Sequence, residues 1–138
     1  VTAAEMGILV MGTLHTNGTA PTVDRIVNAF PSDKQGHVRT MLSTSLRGVI
    51  SQQLIQRADK RGRVAALEAL INTPAVSNLI RQGKLDQLEN TMQSGAQFGT
   101  RIMDSAIQEL LDKGVITGQS AYEKCNNKQR FEQLKDMG

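Results

Sequence analysis

The stretch Gly7-Ile8-Leu9-Val10-Met11-Gly12-Thr13-Leu14-His15-Thr16-Asn17 constrains the fold more than any other. Four consecutive apolar residues stand between glycines and then give way to polar side chains. A run this short and this apolar predicts a strand buried on both faces, as in a parallel sheet covered by helices. Ligands of such sheets sit beyond the carboxyl ends of the strands. Thr13, His15 and Thr16 are therefore candidates to face a phosphate, a metal or a reacting water. A single His at a strand end also suits an ordinary hydrogen-bonded loop, and spacing alone does not separate the two.

The flanking segments read as helix. Residues 1–6 have the form of a helix end closed by Gly7. A chain that opens inside a helix leads us to expect preceding sequence in the encoded protein. Val23, Ile26, Val27 and Phe30 fall on one helical face, with Pro21 in the first turn and Pro31 as the stop. Ser32-Asp33-Lys34-Gln35 has the pattern of a capping box. It opens a helix whose apolar stripe runs through Val38, Met41, Leu42, Leu46, Val49 and Ile50 to Gln53.

Residues 52–57 and 63–71 read as a β-hairpin around a polar turn that contains Gly62. Glu68 lies inside the second apolar run and reads as a paired structural carboxylate. Thr73-Pro74 marks the next helix start, with Val76, Leu79 and Ile80 on its buried face. Further helices carry Leu85, Leu88 and Met92, then Ile102, Met103, Ala106, Ile107, Leu110 and Leu111. A last helix passes through Tyr122. From Asn126 the chain is polar and is expected to be a mobile tail, with Phe131 and Leu134 spaced as in a weak helix. The fold class is α/β and mostly helical: strand, helices and hairpin, followed by a helical bundle.

Several chemistries are missing from the residues. The one Gly-Lys pair is Gly83-Lys84, with Asn78 where a phosphate-binding loop needs its first Gly and Leu85 where it needs a hydroxyl. The two His are far apart and Cys125 stands alone, so no metal site is expected and no disulfide can form. The net charge of +3 is spread along the chain. Its densest basic group, Arg57, Lys60, Arg61 and Arg63, has Asp59 inside it and reads as a solvated turn, not a nucleic-acid surface. Taken alone, this chain is not expected to hydrolyse a nucleotide.

Thr13-Leu14-His15-Thr16-Asn17 resembles the His box of the secretion ATPase superfamily, the RecA-like hexameric motors of type II and type IV secretion and of type IV pili. Thr2-Ala3-Ala4-Glu5 and the segment 22–31 resemble the pilus retraction (twitching motility, PilT-type) branch. Ala75-Val76-Ser77-Asn78-Leu79-Ile80-Arg81-Gln82 resembles that branch's signature Ala-Ile-Arg-Asn-Leu-Ile-Arg-Glu, matching at Ala75, Asn78, Leu79, Ile80 and Arg81. Ser77 and Gln82 replace an Arg and a Glu. Met6-Gly7-Ile8 stands where the family often has Thr-Gly-His, so a second imidazole is absent.

The resemblance implies the C-terminal portion of a P-loop ATPase, with Walker A, an acidic box and Walker B preceding it. Residues 1–72 would end the RecA-like core, 73–125 would form a helical subdomain and 126–138 a tail. His15 would contact the γ-phosphate, with Thr13 and Thr16 beside it and Glu5 as a further catalytic candidate. Ala75, Asn78, Leu79, Ile80 and Arg81 would couple hydrolysis to motion. ATP and Mg2+ would belong to the full-length protein, with none expected for the isolated chain. The full-length protein would be a homo-hexamer in the cytoplasm, meeting the membrane only through a platform protein at the pilus base. The competing readings are a non-catalytic oligomerisation or binding module, a related secretion or pilus assembly ATPase, and a basic nucleic-acid-binding helical domain.

Overall fold

The computed structural model describes residues 1–137. Its one sheet is the hairpin, and apart from an isolated antiparallel bridge between Ala69 and Arg101 the rest is helix or connection among the described residues. Strand β1 (Gly48–Gln56) pairs antiparallel with β2 (Arg63–Ile71) along their whole length. The second strand falls at the expected residues. The first begins four residues before the expected position 52, because the preceding helix is shorter than its apolar stripe suggests. Helix α3 (Gln35–Ser45) stops where Leu46 turns extended. Gly48 is a poor helix former and Val49 and Ile50 are β-branched, so the chain pairs there instead. Val49, Ser51 and Ile55 then point inward from β1, and Ala66, Glu68 and Leu70 from β2.

The hairpin spans two apolar clusters. At one end Val49 and Leu70 join Val23 and Val27 of helix α2 (Thr19–Asn28), Val38 and Leu42 of α3, Val76, Leu79 and Ile80 of α4 (Pro74–Gln82), and Leu88 and Met92 of α5 (Leu88–Gln93). At the other end Ile55 and Ala66 meet Met103, Ala106 and Ile107 of α6 (Met103–Asp112), Ala121 of α7 (Gly118–Lys124), and Phe131 of the short α8 (Lys128–Phe131). With a single Tyr, three Phe and no Trp in the chain, both clusters are built mainly from aliphatic volume.

Helix α4 is specified by local chemistry at both ends. The Thr73 hydroxyl accepts the Val76 amide, Pro74 occupies the first position, and Gly83 takes the left-handed conformation at φ +72. The Lys84 amide then reaches the Leu79 carbonyl at 3.0 Å and the Gly83 amide reaches Ile80 at 3.2 Å, a closed helix end. The capping box expected for α3 does not form. Residue 34, not Ser32, precedes the helix, and the Gln35 side chain donates to the Phe30 carbonyl instead of accepting the Ser32 amide. Pro31 imposes a turn there, seen as the Lys34 amide bonding back to the Pro31 carbonyl at 2.9 Å.

Two other expectations are corrected. Residues 8–11 form no strand: Ile8, Leu9, Val10 and Met11 are 58%, 83%, 53% and 88% exposed. A strand needs a neighbour to take its amides and carbonyls. Among the described residues no backbone group from 9 to 17 finds a backbone partner, and β1 and β2 pair with each other. The segment 126–137 is docked, not free. Phe131 is fully buried, Asn127 caps α8, and the Gln119 amide donates to the Met137 carbonyl at 2.9 Å. One apolar ring outweighs the polar composition around it. Helix α1 (Thr2–Glu5) ends ahead of Gly7, as expected, and leans on α3.

The His15 loop as candidate functional site

The loop after the unpaired apolar segment is suspended from the middle of the hairpin. Its stem is the start of α2, whose cap position is Gly18 and which therefore has no side-chain cap of its own. The hairpin supplies the missing acceptors. Ser51 and Glu68 face each other directly across the two strands. Ser51 Oγ accepts the Gly18 amide at 2.8 Å, and Glu68 Oε1 accepts the Thr19 amide at 2.8 Å and the Thr19 hydroxyl at 2.9 Å. A carboxylate against a helix N-terminus is the favourable arrangement for both charge and orphan amides.

One further tie reaches the loop. Thr22 donates its hydroxyl proton to the Gly18 carbonyl at 2.7 Å, so the 2.6 Å contact between the Thr16 and Thr22 hydroxyls takes its proton from Thr16. Thr16 is fixed by that bond and its proton is spent. His15 and Thr13 are exposed, and neither side chain has a hydrogen-bond partner among the described residues. The loop thus presents a free imidazole and a free hydroxyl on an anchored stem. That suits one edge of an anion site, since imidazole and hydroxyl both donate.

Glu5 is also exposed, and its carboxylate accepts the Thr44 hydroxyl of α3 at 2.8 Å. The signature on α4 divides cleanly. Leu79 and Ile80 lie in the core, while Ala75, Asn78 and Arg81 are exposed. Asn78 accepts from the Gln82 side chain at 3.3 Å. Ser77, in the position of the signature's first Arg, turns inward. Its hydroxyl lies 2.6 Å from the Ser43 carbonyl and 3.1 Å from Asn72 Oδ1, tying α4 to the end of α3. A shallow hollow of about 270 Å³ lies elsewhere, between β1, β2 and α7, and no residue of the His15 loop lines it.

Sequence reasoning found Glu68 as a structural carboxylate but not its partners, and it passed over Ser51, Thr19 and Thr22. Their signal was present: a hydroxyl in an inward position of β1, and two hydroxyls on the first turn of a helix that lacks its own cap. It also missed Asp104. This residue is 2% exposed and accepts the Asn126 and Asn127 amides at 2.7 and 2.9 Å, drawing the connection between α7 and α8 onto α6.

Comparison with known proteins decides the family. The model of the type II/IV secretion system protein family matches residues 1–137. The chain belongs to that family. Two relatives show how much of such a protein the chain spans. It is 49% identical over 127 residues to the twitching motility protein of Neisseria gonorrhoeae, covering 92% of this chain and 34% of that protein. It is 46% identical over 131 residues to the type IV pilus retractation ATPase PilT of Pseudomonas aeruginosa, covering 95% of this chain and 38% of that protein. The chain thus spans a little over a third of the length of these relatives. Among solved structures, the pilus retraction motor PilT with bound ADP superposes with a TM-score of 0.81 at 37% identity. That match covers 96% of this chain and 38% of the other. The expected α/β, mostly helical fold is therefore observed. No helix of the described residues is long and apolar enough to cross a membrane.

Proposed function

We propose that this chain is the C-terminal portion of a cytoplasmic, hexameric ATPase that retracts type IV pili and so drives twitching motility. The observation that carries the reading is the anchored His15 loop, two free donors on a rigid stem, in a chain 49% and 46% identical to a twitching motility protein and a pilus retractation ATPase. Residues 1–72 would complete an ATPase core and 73–125 would form the helical subdomain that follows it. The unpaired apolar segment 8–11 is where strands supplied by other segments of the longer protein would pair. Its exposure makes it a costly surface to leave uncovered.

The chain's own residues would act at one edge of the nucleotide. His15 would donate to the γ-phosphate as charge develops there, with Thr13 as a second donor. Thr16 would hold the loop instead of reaching the phosphate, because its proton is engaged by Thr22. Donors fixed before the reaction are worth more than mobile ones, since no reorganisation is needed as charge builds. Magnesium neutralises phosphate charge in such motors. No group of three or more potential metal-ligating side chains occurs among the described residues, so we assign none of them to it.

The exposed Ala75, Asn78 and Arg81 would meet the machinery that hydrolysis moves, a platform protein at the inner-membrane base of the pilus. Deleting the gene tests the assignment. Cells should keep surface pili but fail to retract them, and the full-length gene should restore retraction. Normal retraction in the deletion strain would refute the role.

A further inference from the structure

We infer that Glu68 is the positioning residue of the His15 loop, a buried carboxylate that fastens the loop's stem to the start of α6 and holds His15 in its working place. The inference rests on the reading of His15 given above. Glu68 is 6% exposed and uses its two oxygens on two different helices. Oε1 takes the amide and hydroxyl of Thr19, which opens α2, and Oε2 takes the amide of Met103, which opens α6, at 3.0 Å. Neither helix has a cap of its own: Gly18 has no side chain and Ile102 is apolar. One side chain therefore serves both helix starts.

From Thr19 the path to His15 is short. Gly18 is held by Ser51, and Thr16 is held through Thr22 to the Gly18 carbonyl. His15 is the residue next to Thr16, so the last fixed point lies one residue away. On the other side, Asp104 follows Met103 and gathers the Asn126 and Asn127 amides. The same helix start thus carries the C-terminal helices. A shift of α6 pulls on Glu68 Oε2, and the carboxylate passes it to Thr19 through Oε1.

All three hydrogen bonds that Glu68 makes among the described residues are accepted by its carboxylate. Only a carboxylate accepts on both sides; an amide of the same shape must turn an NH2 group toward one of them. Glu68→Gln therefore removes the bridge with the least change of volume.

The test is a double-mutant cycle in the full-length protein, measuring steady-state ATP hydrolysis and hexamer formation for Glu68→Gln, His15→Ala and the pair. If Glu68 acts through His15, Glu68→Gln alone should lower kcat by about 10–100-fold, as expected for a reacting group misplaced by about an ångström, and change KM less than about threefold. In the His15→Ala background the same change should then cost less than about twofold, because the group it positions is gone.

Full, multiplicative losses in both backgrounds would show Glu68 to be a general structural cap and overturn the inference. An unchanged kcat for Glu68→Gln beside a lowered one for His15→Ala would overturn it too, and leave the role of His15 standing. An unchanged kcat for His15→Ala would fell the reading of His15, and this inference with it. Should Glu68→Gln fail to fold, Thr19→Val removes the hydroxyl that Glu68 Oε1 accepts and enters the same cycle with the same expectations and the same refutations.

Discussion

At the scale of single residues, the candidate site is a matter of which protons are free. Thr16 and Thr22 use theirs inside the protein, and Thr13 and His15 keep theirs. Composition and spacing pointed to all of Thr13, His15 and Thr16 together, because a sequence pattern places hydroxyls without saying where they bond. Carboxylates were harder still. Glu68, Asp104 and Glu89 are remote in sequence yet close enough for their charges to interact. Partial desolvation of the carboxyl on an otherwise exposed side chain, and then the charges of Asp104 and Glu68, push Glu89 above its usual range.

A carboxyl raised in the folded state favours folding when protonated, and that benefit is lost as pH rises through its folded pKa. At neutral pH the ionised Glu89 is then a small liability. Glu89→Gln should raise Tm at pH 7, by less than about 0.5 kcal/mol equivalent because Glu89 is solvent-exposed and screened. The gain should vanish below about pH 4, where the wild-type carboxyl is protonated. Thermal melts of the two proteins at both pH values check it, and a lower Tm for the variant at pH 7 would contradict the assignment.

At the scale of elements, what could be read in the sequence depended on whether the deciding contact was local. Helix α4 carries its start and stop in Thr73, Pro74, Gly83 and Lys84, and both ends fall where expected. The strand over residues 63–71 was equally legible from its turn. The apolar segment 8–11 was not, because a strand exists only with a neighbour and no pattern within the segment names one. The α3 stripe misled for a related reason. Val49 and Ile50 continue a helical period, but Val49 is buried from a strand and Ile50 is left exposed on its outer face.

Two variants test these elements. Asn78 and Arg81 lie on the exposed side of α4, so changing both to Ala should shift stability by less than about 0.5 kcal/mol. If they couple hydrolysis to motion, the full-length variant should still assemble and hydrolyse ATP while failing to retract pili. Retention of retraction would reduce the helix to a packing element. Phe131→Ala should cost about 3–5 kcal/mol, the range for a buried aromatic ring, although the segment around it is polar. A denaturant titration showing less than about 1 kcal/mol would mean that the C-terminal helix does not contribute to the fold.

At the scale of the whole molecule, the hairpin is the frame. Its two ends seed two apolar clusters, and its centre carries the Ser51–Glu68 pair that holds the His15 loop and the start of α6. On the proposed reading, this portion would bring one donor edge to a nucleotide, and since it carries no phosphate-binding Gly-Lys loop the remaining contacts would come from other segments. The central claim is that His15 works on the nucleotide. It is tested most directly by steady-state ATP hydrolysis of the full-length protein with His15→Ala. The account predicts a kcat lowered by about 10–1000-fold, the range around loss of one preorganised donor, with nucleotide affinity changed far less. An unaltered kcat would contradict it and leave His15 as an ordinary loop residue.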